Sequence, residues 1–333
     1  MERIRICDIA EELGVSTATV SNVIHGKTHK VSSETVQRVQ ELLEKRQYIP
    51  SMAGILLAQN DSRIIGIVVN DHKKYESHVL EDPFIAASLN ALSSEIDRAG
   101  QFMMVKATTK ADDIIRFASM WNLDGMVLIG FCEEDYQLLR NHMRIPFVAY
   151  DGFFEHPKGI CNLTIDNYDG GFQVGQHFKA LGHQRALCIA DNNICMDKER
   201  WEGFHTAFPN AGFWQIPMGQ SQRRRFYCEH LEALKRYTAV FAVSDYYAID
   251  LMQFLGSQAI SVPKQISVAG FDDAPICRQI VPTLTSVRQD SPLRAKLALE
   301  RLRDMKVGKE EGSTIRLPVT LIVRESTCTA PNT

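Results

Sequence analysis

The 333-residue chain has no apolar run long enough to span a membrane and no apolar core near its N-terminus. Neither a membrane segment nor a secretory leader is therefore expected, and the protein should stay in the cytoplasm. Its eight cysteines stand singly at 7, 132, 161, 188, 195, 228, 277 and 328, with no Cys-x-x-Cys pair. This usage fits reduced, mostly buried thiols better than a disulfide frame or a zinc site. Gly-x-Ser-x-Gly, a Gly-x-Gly-x-x-Gly after a strand, a Walker loop and metal-spaced His/Cys clusters are all missing, so no enzyme, cofactor or metal is expected. Excess charge is missing too. The net charge is −3, and residues 1–61 carry seven Lys and Arg against eight Asp and Glu. Any nucleic-acid contact must then rest on placed charges, helix N-termini and groove contacts.

What is present begins with residues 6–24. Ile6, Ile9, Ala10 and Leu13 form one apolar stripe at helical spacing, and Val20, Val23 and Ile24 form another. Gly14 suits the left-handed turn between them, Ser16 suits the N-cap of the second helix, and Ala10 is small enough for a close crossing. This spacing is that of a helix-turn-helix whose second helix offers Thr17, Thr19, Ser21 and Asn22 to a DNA groove. The polar run 25–30 could touch phosphate. A third helix, capped by Ser32 or Ser33, carries Val36, Val39, Leu42 and Leu43 and ends at Tyr48-Ile49-Pro50. Residues 51–60 are apolar but too short to hold a helix alone, and should fold only against a partner such as a second copy or a DNA groove.

From Arg63 the pattern alternates. Strand-like runs at 64–70, 102–107, 125–129, 146–150, 161–166, 185–190, 238–243, 265–269 and 283–287 are separated by helical patterns near 84–99, 111–121, 134–142, 169–181, 198–208, 246–256 and 291–306. This predicts parallel sheets covered by helices, with two smaller sheets suiting nine strands better than one. Ligands bind beyond the carboxyl ends of such strands. Asn70, Asp71, Asp151, Asp166, Ser244, Asp245, Asp272 and Asp273 fall there, and with Arg200 they suit a polyhydroxylated ligand. Asp71, Asp151 and Asp273 also fit as turn formers or caps.

In order, Asp8-Ile9-Ala10, Gly14-Val15-Ser16, Thr19-Val20-Ser21, Val31-Ser32, Tyr48-Ile49-Pro50, Ile65-Gly66, Asp82-Pro83-Phe84, Asp124-Gly125, Asp166-Asn167, Gly182-His183, Arg200 with Gly203-Phe204, Gly270-Phe271-Asp272-Asp273, and Arg324-Glu325-Ser326 resemble the LacI/GalR family of bacterial transcription regulators over essentially the whole chain. The resemblance implies a multidomain protein, an all-α helix-turn-helix headpiece (1–47), a hinge helix ordered on DNA (48–61) and a periplasmic-binding-protein-like α/β core of two parallel-sheet subdomains (62–333). The expected subdomain limits are 62–162 with 291–321, and 163–290 with 322–333. The implied function is a repressor of palindromic operator DNA, controlled by a sugar-like effector in the cleft between subdomains.

By the same resemblance, Thr17, Ala18 and Asn22 read bases and Leu57 wedges into the minor groove. Ser16, Thr19, Ser21 and His25 complete the expected DNA face. Asp71, Phe84, Asp151, Asp166, Arg200, Ser244, Asp272 and Gln289 make up the expected ligand site. The chain departs from the family pattern in several places. Asn22 replaces a usual arginine, Gly54-Ile55 replaces Ala-Arg, and an aromatic near 218–222 is absent. Arg223-Arg224-Arg225 read better as a solvated helix start than as an anion site. Without a heptad tail after Ser326, a homodimer is expected. A crevice enzyme and a transport-associated sugar-binding protein are the alternatives on this core. Missing catalytic motifs argue against the first; the absent leader and the 61 residues ahead of the core argue against the second.

Overall fold

The computed structural model describes residues 4–48, 62–72, 75, 77–131, 133–154, 159–309 and 312–331. Two compact units divide at Ser62/Arg63. The first holds α1 (Ile6–Leu13), α2 (Thr17–Ile24) and α3 (Ser33–Lys45). Gly14 ends α1 at φ 66°, a conformation that costs glycine little, and its N–H returns to α1 carbonyls. Ser16 and Ser32 cap α2 and α3, accepting from Thr19 N and Thr35 N. Ile9, Ala10, Val20, Val23, Val39 and Leu42 close a small core where the three apolar stripes meet.

The second unit contains two six-stranded sheets. The first runs in the order β11 (Thr314–Leu317), β5 (Cys161–Ile165), β4 (Phe147–Tyr150), β3 (Gly125–Ile129), β1 (Ile64–Val69), β2 (Phe102–Ala107), with every pairing parallel. The second runs β12 (Thr320–Ile322), β10 (Thr285–Arg288), β9 (Ser267–Asp272), β8 (Ala239–Ala242), β6 (Ala186–Ala190), β7 (Gly212–Gln215), and only the β10/β12 pair is antiparallel. Along β1, Ile65, Ile67 and Val69 enter one core while Ile64 and Val68 enter another. That period-two division buries the strand on both faces and explains its unbroken apolar sequence.

The chain passes between sheets three times: after β5, between β10 and β11, and between β11 and β12. The expected limit at 162/163 falls inside β5, whose pairings all lie in the first sheet, so the crossing comes after Ile165. Likewise 321/322 cuts β12; the turn at Pro318-Val319 makes the actual crossing. Strands β7, β11 and β12 were not expected. Each has at most four residues and lies at a sheet edge, where no buried apolar run marks it. Of the seven described cysteines only Cys161, Cys188 and Cys277 are buried, fewer than expected.

Helices α4 (Pro83–Arg98), α5 (Ala111–Met120) and α6 (Glu133–His142) belong to the first sheet; α7 (Asn167–Ala180), α8 (Cys195–Ala207), α9 (Gln220–Glu229), α10 (Leu231–Leu234) and α11 (Asp245–Ser257) belong to the second. Helix α12 (Ser291–Lys306) returns the chain to the first sheet and packs on α4, β3, β4 and β5. Helices α7 and α8 touch backbone to backbone. A Cβ on Gly171 would lie 1.9 Å from the Arg200 carbonyl oxygen, and one on Gly203 would lie 1.9 Å from that of Tyr168. Only glycine fits at either position, and their contact sets Arg200 beside Asn167.

Candidate functional site

Both sheets reverse their strand order beside the first strand, at β3/β1 and at β8/β6. Crevices form at such points beyond the strand ends. In the first, Asn70 Nδ2 donates to the Gly130 carbonyl at 2.8 Å, while Asn70 Oδ1 and Asp71 Oδ1 are buried without a hydrogen-bond partner. Asp82 caps α4, accepting from Phe84 N and Ile85 N, and Phe84 packs against the core below. Helix α4 also touches the 3₁₀ turn Pro275–Arg278 beyond β9, which brings the two sheets' strand ends together on one side.

A buried polar chain spans the two sheets. Arg294 Nη2 lies 2.7 Å from Asp151 Oδ1, and its guanidinium sits 4.1 Å above the Tyr150 ring. Arg294 Nη1 donates to Gln289 Oε1 at 3.3 Å, and Gln289 Nε2 donates to Asp272 Oδ1 at 2.5 Å. Arg200 Nη2 is 4.0 Å from that oxygen. Arg200 is held in turn by Asn167 Oδ1 (2.9 Å), the Val243 carbonyl (2.6 Å) and the Phe271 ring face at 3.7 Å. Asp272 has φ 117°, a region costly for a residue with a Cβ, at about 1–3 kcal/mol. Burial raises its pKa well above the ordinary aspartate value, helped by Asp245 and Asp82 and opposed by Arg200 and Gln289. Under the same strands, burial pushes Asp245 up to about 7, although Ser286, Cys277 and the Ala274 N–H all donate to it.

The expected ligand residues thus divide. Asp71, Arg200 and Asp272 present polar atoms at strand ends. Gln289 is buried and joins Asp272 to Arg294, while Asp151 neutralises Arg294. Asp166 and Ser244 cap α7 and α11 through Asp169 N and Tyr247 N. Asp273 pairs with Arg288 and Arg324, an ion-pair role beyond turn forming. Arg223 departs from the expected solvated start: it is fully buried, its Nε 2.7 Å from Asp250 Oδ2, while Arg224 and Arg225 lie exposed. Arg294 and Tyr150 went unnoticed in the sequence, and Asn167 was noted only as part of a family motif, not as the partner of Arg200. Its place at the C-terminal end of β4 would have drawn attention to Tyr150, but nothing local marks Arg294, in the first turn of a helix 131 residues beyond the Leu163 carbonyl it binds.

In the first unit, Thr17 and Ala18 are exposed, and Ser21, Asn22 and His25 are half-buried. The spacing of three and four residues sets Thr17, Ala18, Ser21 and Asn22 on one face of α2, and His25 follows as its C-cap. Ser16 and Thr19 belong elsewhere, because their hydroxyls meet each other at 2.9 Å in the cap. Leu57 and residues 49–61 of the expected hinge lie outside the described residues. Among the described residues no group of three or more His, Cys, Asp or Glu could hold a metal, and no helix is long and apolar enough to cross a membrane.

Residues 5–51 match the model of bacterial regulatory proteins, lacI family, and residues 176–327 match a periplasmic binding protein-like domain. The chain is similar to the HTH-type transcriptional repressor PurR of Mannheimia succiniciproducens, 27% identical over 337 residues, covering 96% of this chain and 98% of that protein. With PurR of Vibrio atlanticus it shares 29% over 323 residues, 90% of this chain and 92% of the relative. Among solved structures, the lac repressor dimer bound to operator and the anti-inducer ONPF superposes with a TM-score of 0.82 at 22% identity, over 98% of this chain and 100% of that one.

Proposed function

We propose that this chain, whose residues 5–51 match the model of bacterial regulatory proteins of the lacI family, is a dimeric repressor whose hold on operator DNA is set by a small hydroxyl-rich molecule between the two sheets. The observation that carries the effector reading is the buried chain Asp151–Arg294–Gln289–Asp272–Arg200, which draws on both sheets and ends in a carboxylate and a guanidinium at strand ends. Hydroxyls can donate to Asp272 and Asp71, and ring or hydroxyl oxygens can accept from Arg200. A relative of similar fold was solved as a CelR–cellobiose complex and another with bound ribose, ligands of the proposed class.

The mechanism is linkage. A ligand touching both sheets favours one closure angle, and only its differential affinity for the two angles can change DNA binding. The exposed face of α2 supplies the operator contacts, with the hinge and Leu57 as the proposed minor-groove element. A thermal-shift screen over sugars, sugar phosphates and nucleosides tests the reading. A cleft ligand at a hundredfold its Kd should stabilise the protein by about 2.7 kcal/mol. The shift should fall below about 1 kcal/mol in Asp272→Ala. Stabilisation that survives that substitution in full, or none across the panel, counts against the cleft.

A further inference from the structure

The eight residues of α2 are Thr-Ala-Thr-Val-Ser-Asn-Val-Ile, with no charged side chain among them. The bidentate arginine or lysine contact to guanine O6 and N7 is thus closed to this helix. Thr19 is held in the cap by Ser16, so its hydroxyl is engaged before any DNA arrives. The face left open starts with Thr17 and Ala18 at the N-terminal end, the end that approaches base edges in a helix-turn-helix. One turn later stands Asn22, whose carboxamide has no hydrogen-bond partner among the described residues. Two exposed methyl groups therefore sit beside one free carboxamide.

Each half of that surface has a matching base. A carboxamide fits the N6 donor and N7 acceptor of adenine, and a methyl pair fits the 5-methyl group that distinguishes thymine. We propose that α2 reads a half-site built on T·A pairs, with Asn22 on adenine and the Thr17–Ala18 methyl patch on a thymine methyl. This rests on the operator-binding reading above and adds the base class and the atoms that read it.

The test uses the full-length protein. Duplexes are enriched from a random pool, and the enriched site is remade with deoxyuridine for thymidine in each half-site, which removes the methyl groups alone. The half-sites should contain T·A pairs, and the uracil duplex should bind roughly three- to five-fold more weakly for each methyl lost, the size expected of one buried methyl. Thr17→Ser or Ala18→Gly should bind the two duplexes alike, and Asn22→Ala should lose the adenine preference. Half-sites of G·C pairs alone, or equal wild-type affinity for the thymine and uracil duplexes, overturn the proposal and leave operator binding standing. No enriched motif at all overturns operator binding itself. The uracil comparison needs no variant, so it does not depend on how well one folds.

Discussion

A guanidinium taken fully out of water needs both its charge and its donors answered. Around Arg223, Asp250 supplies the charge, the carbonyls of Pro217 and Met218 accept from Nη1, and the Tyr246 hydroxyl accepts from Nη2. Burial alone would lower the arginine's pKa, but Asp250 and Tyr246 outweigh it and hold the group above its ordinary value. Removing one member of such a pair leaves a buried charge alone. Asp250→Ala should therefore destabilise the protein by about 3–5 kcal/mol, while the apolar pair Arg223→Met with Asp250→Leu should recover most of that loss. Urea denaturation of the three variants checks this. If Asp250→Ala costs no more than a surface substitution, the pair is not buried in solution. Nothing in the run Arg223-Arg224-Arg225 says which arginine turns inward; only the helix phase against Asp250, 27 residues on, selects Arg223.

At the scale of elements, two histidines fasten the last described stretch of chain to the second sheet. His183 Nε2 donates to the Cys328 carbonyl at 3.1 Å while its Nδ1 lies 2.9 Å from Thr238 Oγ1, and His177 Nε2 lies 3.0 Å from Thr327 Oγ1. Burial lowers both pKa values below 6.5. A lowered histidine binds fewer protons in the native state than in the unfolded one, so its stabilisation is present above about pH 6.5 and is lost as pH falls through the native value. Asp245, raised by burial, works in the opposite sense as pH rises from about 4 toward 7. Wild type and His183→Asn are therefore compared at each pH. The variant should be less stable by about 1 kcal/mol near neutrality, and the gap should narrow at about pH 5. A gap of constant size would mean that burial does not depress His183.

For the whole molecule, the division at Ser62/Arg63 separates two units with their own cores. A fragment of residues 63–333 should fold alone, keep full effector affinity and lose operator binding. In the full-length protein, Arg200→Ala or Asp272→Ala should do the reverse: operator binding survives, and effector affinity falls by about 2–3 kcal/mol, the worth of a charge-assisted contact in a desolvated site. Calorimetric effector titration beside operator binding on the same samples reads both outcomes. Loss of effector binding in the fragment, or a normal response in both point variants, would place the effector elsewhere.

The sequence by itself determined whatever depends on neighbours within a turn or two along the chain. Gly14, Ser16 and the apolar stripes around them act within a few residues, so the helix-turn-helix was legible in advance, as was the αβ alternation that makes two parallel sheets. The order of Asp8-Ile9-Ala10 through Arg324-Glu325-Ser326 carried the resemblance to the LacI/GalR family. Tertiary structure alone decided which strand-end carboxylates remain open and which are occupied. Asp151 and Asp272 look alike as acids after a strand, yet Arg294 neutralises one at 2.7 Å while Arg200 stands 4.0 Å from the other. Those partners come from elements 143 and 72 residues away, brought in by the crossings between sheets. Charge pairing depends on distance in space, which local sequence does not encode, and the same holds for the inward turn of Arg223 and the short edge strands β7, β11 and β12.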